Sequence, residues 1–339
     1  MFYADAIFMD NVQLNESKMM SLLDKIVYHR KSLADPKSFF LALASRAPRR
    51  FWLSEPELQA LCDSETISFQ PLSGLSESAV TDRIPKVIFQ TWKSRTIIPL
   101  NYRYWRSTIS SRHPDWQVLL WDDFDNRAFV ERFFPWLLGR YSRYPREIFR
   151  VDLVRILFLY MYGGFYLDMD VECQDSLERY SHLSGVVLGR MGSDRSFEHS
   201  IPNAMMASTP HQIFWLLALT LAIERLDAVD EAVLGSSKPE WLTGPVLMRD
   251  AVLLYEVMSP QELWKRCAQV LKKIDSLPEA RYGKITLLPS EEWYPVNWDN
   301  PLHQMFRDRM IKDHVVPSPQ LVRKTLKNAT LVTYWTHSW

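Results

Sequence analysis

The stretch EIFRVDLVRILFLYMYGGFYLDMDVE, residues 147–172, contains signals for a helix, its end, a strand and a carboxylate pair. From 147 to 162, apolar residues recur at three- and four-residue spacing, which predicts a helix with a buried stripe. The Gly-Gly pair at 163–164 predicts its end, because glycine readily adopts the left-handed conformation that follows many helices. The aromatic and apolar run 165–167 then predicts a short buried strand.

Four charged residues accompany these elements. Asp168 and Asp170 directly follow the strand, and Asp152 and Arg155 lie three apart on the helix. Two carboxylates at the end of a buried strand are costly unless a positive group meets them, and a divalent cation bound to phosphate oxygens is a candidate. Solvated acids are the alternative for a bare Asp-X-Asp. The charged pair on an otherwise apolar helix favours the metal site, because unpaired charges there would be expensive.

The segment DLVRILFLYMYGGFYLDMD, residues 152–170, resembles the sugar-nucleotide-binding region of glycosyltransferase family 32. That family contains fungal initiating mannosyltransferases and inositol-phosphorylceramide mannosyltransferases, and the large clostridial glucosyltransferase toxins are more distantly similar. The resemblance implies a retaining, metal-dependent transferase with the Rossmann-like fold termed GT-A, an α/β fold with a central, mostly parallel sheet.

The resemblance also implies roles for individual residues. Asp152, Arg155, Asp168 and Asp170 are the expected catalytic group, with Asp170 in the inner sphere of Mn²⁺ or Mg²⁺ and Asp168 assisting. Arg155 is expected to face the ligand rather than complete a structural ion pair. The implied cosubstrate is a UDP- or GDP-sugar.

Composition limits the possible domain organisation, binding partners and cysteine chemistry of the chain. With 339 residues, 47% hydrophobic and 24% charged, the chain can form one large domain with an appendage. Forty basic residues balance forty acidic ones, which gives no support to nucleic-acid binding driven by net charge. The three cysteines, Cys62, Cys173 and Cys267, are widely spaced and in no C-x-x-C pair, which favours free thiols in a reducing compartment over disulfides or a zinc site.

The amino-terminal sequence shows no basic region followed by an apolar core and a cleavage site, so no secretory signal is predicted. The longest apolar run, 214–223, is too short to span a bilayer. We therefore expect a cytoplasmic location, either in solution or peripheral at a membrane, or delivery to a host cell if the protein is an effector. This differs from the fungal family members, which are typically anchored in the Golgi.

Two regions are predicted along the chain. Residues 1–82 are interpreted as a helical N-terminal region with a connector, in which Glu55–Cys62 is one of the periodic segments, and 83–339 as the GT-A catalytic domain. The segment RAPRRFW, 46–52, mixes cations with aromatics and would suit an acidic membrane surface. An exposed loop with a docked aromatic pair is the alternative.

The first strand of the catalytic domain is predicted within 84–92. Trp92 at its carboxyl end is a candidate to stack on the donor's base, because open α/β sheets bind ligands at that edge. Ordinary core packing is the alternative. A second strand, Gln117–Trp121, precedes Asp122, for which a helix cap or loop position is the simplest interpretation. Resemblance to the family's Trp-Asp segment makes Asp122 a pocket candidate.

Later residues complete the candidate site through the same resemblance. Asn203 is similar to an asparagine near the donor sugar, with a turn amide as the alternative. Gly244 lies in a Thr-Gly-Pro segment and would let backbone approach a ligand, or simply form a turn. His337 is a candidate metal ligand, although a lone histidine is often structural. Ser338 and Trp339 resemble the terminal serine and tryptophan that close over the diphosphate in the related toxins.

The predicted function is transfer of a hexose from a nucleotide sugar to a glycan or glycolipid. An effector-type enzyme that modifies a host protein would use the same site. A sugar-nucleotide-binding relic is the non-enzyme alternative, but it would have no reason to keep the four charged residues together. No G-x-x-x-x-G-K-[ST] or G-x-G-x-x-G motif occurs, which disfavours P-loop and dinucleotide-binding enzymes.

Overall fold

The computed structural model describes residues 52–62, 81–94, 97–194, 196–296, 303–304, 307–310 and 315–336. The strands in these ranges are β1 Trp52–Leu53, β2 Val87–Thr91, β3 Gln117–Trp121, β4 Gly164–Leu167, β5 Val171–Cys173, β6 Val186–Gly189, β7 Met205–Ser208, β8 Ile285–Leu288, β9 Val316–Pro317 and β10 Leu331–Thr333.

The α-helices in the same ranges are α1 Glu55–Cys62, α2 Leu100–Arg112, α3 Asp123–Phe133, α4 Leu138–Arg143, α5 Glu147–Tyr162, α6 Glu178–Ser181, α7 Ile213–Ala228, α8 Glu231–Leu234, α9 Pro239–Leu242, α10 Pro245–Val257, α11 Pro260–Leu271, α12 Ser290–Trp293 and α13 Pro319–Thr325. Short 3₁₀ helices lie at Pro135–Leu137 and Ile274–Ser276.

The central sheet of the described chain has six strands in the order β3-β2-β4-β7-β6-β8. The pairs β2–β3, β2–β4 and β6–β8 are parallel, while β4–β7 and β6–β7 are antiparallel. The predicted α/β fold with a central, mostly parallel sheet is therefore confirmed. The carboxyl ends of β2, β3 and β4 meet at one edge, and β7 begins at that edge because it runs the other way.

Helix α5 forms the centre of the core. Every residue from 151 to 162 is buried, because α7 packs along the helix on one side and the sheet lies on the other. Phe158 of α5 stacks on Phe89 of β2 with ring centroids 4.1 Å apart. Burial thus extends beyond the stripe that periodicity predicted. A charged side chain on this helix must consequently find its partners inside the protein.

The turn from α5 into β4 requires glycine. Gly163 has a φ of 65°, and a Cβ atom there would lie 2.6 Å from the Ser208 carbonyl oxygen. A larger residue would therefore clash with β7 as well as strain the backbone. The helix consequently ends where the sequence predicts, and β4 carries the chain straight to Asp168.

A second, two-stranded sheet lies beside the aspartates. Strand β5 directly follows them and pairs antiparallel with β10, with Val171 opposite Thr333. Glu172 on β5 is buried and accepts hydrogen bonds from the hydroxyls of Tyr104 (3.1 Å) and Tyr334 (2.5 Å). This pairing brings the end of the described chain next to the carboxylate pair.

The described residues bear on several remaining sequence predictions. Cys62, Cys173 and Cys267 are buried and are not joined to one another by disulfides. In the part of the chain that the structure covers, none of the helices combines the length and hydropathy that a bilayer crossing requires. Most of the N-terminal region and its connector lie outside the described residues, so the boundary between 82 and 83 stays a prediction.

Candidate active site

An open pocket of about 340 Å³ lies at the carboxyl ends of β2 and β4. Its polar and aromatic lining includes Trp92, Asp152, Arg155, Asp168, Asp170 and Trp335. Asn203 and Ala204, just before β7, also line it. The segment around α9 adds Pro239, Glu240, Gly244 and Pro245. The edge of the sheet, the amino-terminal half of α5 and the end of β10 therefore contribute to one site.

Arg155 is the centre of a buried network. Its guanidinium lies 3.2 Å from Asp152 Oδ1 and 3.3 Å from Asp168 Oδ1, and it donates to the Asn203 carbonyl oxygen at 2.7 Å. The guanidinium also stacks over the ring of Tyr166 at 4.4 Å from its centroid. The Arg155 side chain is only 2% exposed, so its positive charge interacts with protein groups rather than with bulk water.

Asp152 is held from three directions. Besides Arg155, Asn203 Nδ2 donates to its Oδ1 at 2.8 Å and Thr243 Oγ1 donates to its Oδ2 at 2.7 Å. The Asp152 side chain is 5% exposed. Burial raises the pKa of this carboxyl, whereas Arg155 and the two hydrogen bonds oppose that shift. Asp152 thus ties α5 to the segments that precede β7 and α10.

Asp168 is tied to the same network but opens to the pocket. Its Oδ1 accepts from the Tyr166 hydroxyl at 2.7 Å, and its side chain is 19% exposed. Its Oδ2 makes no hydrogen bond to the described residues. Burial, opposed by Arg155 and reinforced by the negative charge of Asp170, raises the pKa of Asp168 to about 7. Such a site favours a cation beside the carboxylate.

Asp170 is held instead by the end of the described chain. Thr333 Oγ1 donates to its Oδ1 at 3.2 Å, and the Thr336 backbone N–H and hydroxyl meet its Oδ2 at 3.0 and 3.1 Å. Tyr102 anchors Thr336 in turn, with 2.8 Å between the hydroxyl oxygens. Between these threonines, Trp335 enters the pocket wall and stacks on Tyr294 at 5.7 Å between ring centroids.

Another part of the pocket wall comes from the start of α5 and the segment around α9. Arg146, just before α5, donates to the Ser237 carbonyl oxygen at 2.9 Å. Glu240 of α9 also lines the pocket. The Asp152–Thr243 hydrogen bond joins the same two segments further along. Two cross-links therefore hold this wall in place.

Known proteins share this arrangement in sequence. Residues 99–185 match the family described as glycosyltransferase sugar-binding region containing DXD motif. Inositol phosphoceramide mannosyltransferase 2 of Schizosaccharomyces pombe is 29% identical over 263 residues, which cover 75% of this chain and 68% of that protein. Inositol phosphoceramide mannosyltransferase 3 of the same yeast is 42% identical over 99 residues, 29% of this chain and 28% of that protein.

Among solved structures, the PaToxG glycosyltransferase is similar to this chain with a TM-score of 0.42 and 18% identity, over 60% of this chain and 82% of that one.

The chain is a glycosyltransferase. The matched region contains the α5 charges and Asp168-Met169-Asp170, the DXD motif of the family description. The predicted resemblance to family 32 is thereby confirmed, together with kinship to the fungal mannosyltransferases. The glycosyltransferase spans about two thirds of the first of these relatives and under a third of the second.

Most of the predicted site residues that are described do line the glycosyltransferase pocket. Besides the four charged residues, these are Trp92, Asn203 and Gly244. Trp92 also packs on Tyr102 at 4.6 Å between ring centroids, so it belongs to both core and pocket wall. Gly244 has a negative φ of −96° and packs tightly on Pro239, 3.0 Å from the position a Cβ would take, before α10 begins.

Two expectations need correction. Arg155 completes a buried ion-pair network instead of facing a ligand alone, because α5 is covered on all sides. Asp122 is not among the residues that line this pocket. It caps α3: its side chain accepts from the Asp125 backbone N–H, and the Asp125 side chain accepts from the Asp122 backbone N–H. The helix-cap interpretation of Asp122 was the right one.

His337, Ser338 and Trp339 lie outside the described residues, and their roles stay predictions. Several pocket or supporting residues were not among the predicted ones: Arg146, Glu240, Thr243, Thr333, Trp335 and Thr336. Thr243 could have been found, since it belongs to the Thr-Gly-Pro segment. The other five carry no local sequence signal, because only the tertiary fold brings them to the aspartates.

Proposed function

We propose that this glycosyltransferase moves a hexose, with mannose as the first candidate, from a UDP- or GDP-sugar to a glycan or glycolipid acceptor. The observation that carries the proposal is the pocket in which Asp168 and Asp170 stand together, backed by the buried Arg155 network. The yeast relatives are named as inositol phosphoceramide mannosyltransferases, which supports mannose as the sugar and a glycolipid as the acceptor.

A divalent cation fits the residues at the aspartate pair. Asp168 Oδ2 is free of hydrogen bonds within the described chain, and Asp170 Oδ1 keeps a lone pair beside its one donor, the Thr333 hydroxyl. The described residues contain no group of three or more histidine, cysteine or acidic side chains that could hold a metal alone. Two carboxylates fit an Mn²⁺ or Mg²⁺ ion that shares its remaining positions with phosphate oxygens and water. When bound, that ion would neutralise the diphosphate as it leaves.

The residues of the chain would then act as follows. Arg155 and Tyr166 fix Asp168, while Thr333 and Thr336 fix Asp170. The bond from the acceptor oxygen to the anomeric carbon forms as the bond from that carbon to the diphosphate breaks. The diphosphate keeps the bonding electron pair and receives the acceptor's proton. We propose retention of configuration because the resembling family members are retaining.

The test is a screen of UDP- and GDP-sugars with the purified protein and Mn²⁺, following donor hydrolysis and transfer to inositol phosphoceramide in detergent micelles. We expect turnover of at least one donor, its loss in excess chelator, and a product whose anomeric configuration by NMR matches the donor. The matched control is the Asp168→Asn, Asp170→Asn double variant. Full activity in excess chelator would refute the metal role, and inversion would refute retention. Sugar found on a protein acceptor alone would favour the effector-type activity.

A further inference from the structure

The pocket contains two kinds of charged side chain. Asp152, Asp168, Asp170 and Arg155 are all engaged by protein groups. Glu240, in contrast, forms no hydrogen bond or ion pair with the described residues, and it is exposed. A carboxylate left free in the wall of a pocket is available to a ligand.

Arg146, in the same pocket, is only partly engaged by protein groups. One of its terminal nitrogens donates to the Ser237 carbonyl oxygen, and its guanidinium rests at 5.0 Å from the centroid of the Phe149 ring. Its other nitrogens, Nε and Nη1, have no hydrogen-bond partner among the described residues. The two contacts hold the guanidinium in place while leaving donors for an anion, which is the geometry that suits bidentate binding of a phosphate.

Glu240 and Arg146 share one wall of the pocket. Arg146 is bonded to Ser237, three residues before Glu240, and Asp152 is bonded to Thr243, three residues after it. Arg146 and Asp152 are six residues apart, so the wall runs for about 9 Å along the α5 axis. The DXD aspartates lie near the other end of this stretch of α5, because Asp168 contacts Arg155, nine residues after Arg146. A metal-bound donor and a second ligand on this wall would thus meet across Asp152.

We propose that Arg146 and Glu240 form the acceptor subsite, and that it takes a hydroxylated ring carrying a phosphodiester. Glu240 accepts hydrogen bonds from ring hydroxyls, and Arg146 pairs with the phosphate. This inference rests on the proposed function, because it assigns the acceptor side of the same pocket. An inositol phosphate headgroup has both chemical features, in agreement with the acceptor in the names of the yeast relatives.

The experiment compares Arg146→Gln with the matched control Arg143→Gln. Arg143 is exposed, bonds to Asp227 and Glu231 on the surface, and does not line the pocket. Three acceptors are used with the wild-type donor: inositol phosphoceramide in micelles, soluble inositol 1-phosphate, and myo-inositol. Binding of inositol 1-phosphate is also measured by calorimetry in the presence of a nucleoside diphosphate and Mn²⁺, which needs no turnover.

We expect Arg146→Gln to lower kcat/KM for the phosphorylated acceptors by roughly 10- to 100-fold, mainly through KM, and to weaken inositol 1-phosphate binding similarly. The loss with myo-inositol should be at least tenfold smaller. Glu240→Gln should weaken use of all three acceptors, and Arg143→Gln should match wild type. An effect on both phosphorylated acceptors assigns the contact to the phosphate itself, whereas an effect on inositol phosphoceramide alone would contradict it.

Equal losses with phosphorylated and neutral acceptors would overturn the subsite, as would unchanged binding of inositol 1-phosphate. Donor hydrolysis separates this outcome from failure of the proposed function. If the donor is hydrolysed with Mn²⁺ but inositol 1-phosphate neither binds nor accepts sugar, the subsite is wrong and the transferase proposal stands. If no donor is hydrolysed, the proposed function fails, and the binding measurement still decides the subsite.

Discussion

The two aspartates of the DXD motif are supported by different parts of the molecule. Asp168 is held by Arg155 and Tyr166, two side chains of the central core. Asp170 is held by Thr333 and Thr336, at the end of the described chain. One carboxylate is therefore placed as soon as the core folds, whereas the other also needs the C-terminal segment to dock. The proposed metal site therefore has a core half, around Asp168, and a docked half, around Asp170.

The docked half has its own anchors. Strand β10 pairs with β5, Tyr334 donates to the buried Glu172, and Tyr102 bonds to Thr336. These contacts join segments that are far apart in the chain, while Asp168 is supported by Arg155 of the buried helix α5 and by Tyr166 of the adjoining strand β4. Substitutions in the two halves should therefore separate effects on stability from effects on metal binding.

The largest effect is expected for Arg155→Ala. The change leaves Asp152 buried with only the Asn203 and Thr243 donors, and it removes the cation beside Asp168. Removing one partner of a buried pair typically costs about 3–5 kcal/mol. The free energy of unfolding, measured in urea without ligand, should fall by that amount.

The control for Arg155 is Arg127→Ala, which removes an exposed i,i+4 pair with Glu131. Exposed pairs contribute less than about 1 kcal/mol, so this variant should stay close to wild type. A folded Arg155→Ala protein with wild-type stability would show that the core half is not held by this network.

The second prediction compares the two amide substitutions. Asp170→Asn should lower metal-dependent turnover on the order of 100-fold and Asp168→Asn by roughly tenfold, because Asp170 is the proposed inner-sphere ligand. Stability should separate the two variants as well. Burial raises the pKa of Asp168 to about 7, so the folded protein holds the charged carboxylate less readily than the unfolded chain does. A neutral asparagine at 168 should therefore raise the free energy of unfolding at pH 8, by about 1–3 kcal/mol. An asparagine at 170 can keep its threonine contacts, so Asp170→Asn should unfold within about 0.5 kcal/mol of wild type.

Turnover is measured over a range of Mn²⁺ concentrations, and stability by urea unfolding without metal. Wild-type turnover and Mn²⁺ dependence in Asp170→Asn would refute the metal site. Equal changes of the free energy of unfolding in both variants would refute the distinction between the two supports.

Local signals in the sequence predicted the core half well. Periodicity and the Gly-Gly pair gave α5 its bounds from Glu147 to Tyr162, and the strand Gln117–Trp121 was also predicted to the residue. Helix α11 begins at Pro260, where Ser259 and Glu262 form a capping box. These features depend on neighbours in the chain, which is why sequence alone carries them.

The docked half could not be predicted in the same way. Thr336 reaches Asp170 across 166 positions, and nothing near either residue encodes the register of β5 with β10. The sequence did indicate that Arg155 needs a polar partner. Which partner Arg155 finds depends on whether α7 covers the helix, and that is a property of tertiary packing. Long-range register and coverage are therefore what the local pattern lacks.

The third prediction concerns the docked half itself. Thr336→Val removes the hydroxyl that meets Asp170 Oδ2 and Tyr102 but keeps the backbone N–H donor. Groups that orient a metal ligand typically contribute 10-fold or more to affinity, so Mn²⁺ binding in the presence of a nucleoside diphosphate should weaken roughly tenfold. Stability should change by about 1 kcal/mol or less.

Thr336→Ser should restore Mn²⁺ affinity, because it returns the hydroxyl. Thr325→Val is the matched control, since Thr325 is also half-buried and bonds to the Leu321 carbonyl oxygen of its own helix. Binding is measured by calorimetry. Equal affinities of the two valine variants would mean that the C-terminal segment does not position Asp170.

The smallest effect is expected for Glu172→Gln, at the base of the docked half. Burial raises the pKa of Glu172 above its ordinary value of 4.5, although the Tyr334 and Tyr104 hydroxyls oppose the shift. The folded protein thus binds the proton more tightly than the unfolded chain. The stability associated with this carboxyl is fully present below 4.5 and is lost as the pH rises through the raised pKa.

A glutamine cannot titrate, so the variant should lack this loss. Its stability relative to wild type should therefore increase as the pH rises from 5 to 8, by about 1 kcal/mol or less in urea unfolding. Glu172→Ala is the comparison variant, because it leaves both tyrosine hydroxyls without an acceptor and should cost about 1–3 kcal/mol. If wild type instead becomes more stable relative to Glu172→Gln as the pH rises, the carboxylate is stabilised in its charged form. The docked half would then be fixed by a buried charge, as the core half is.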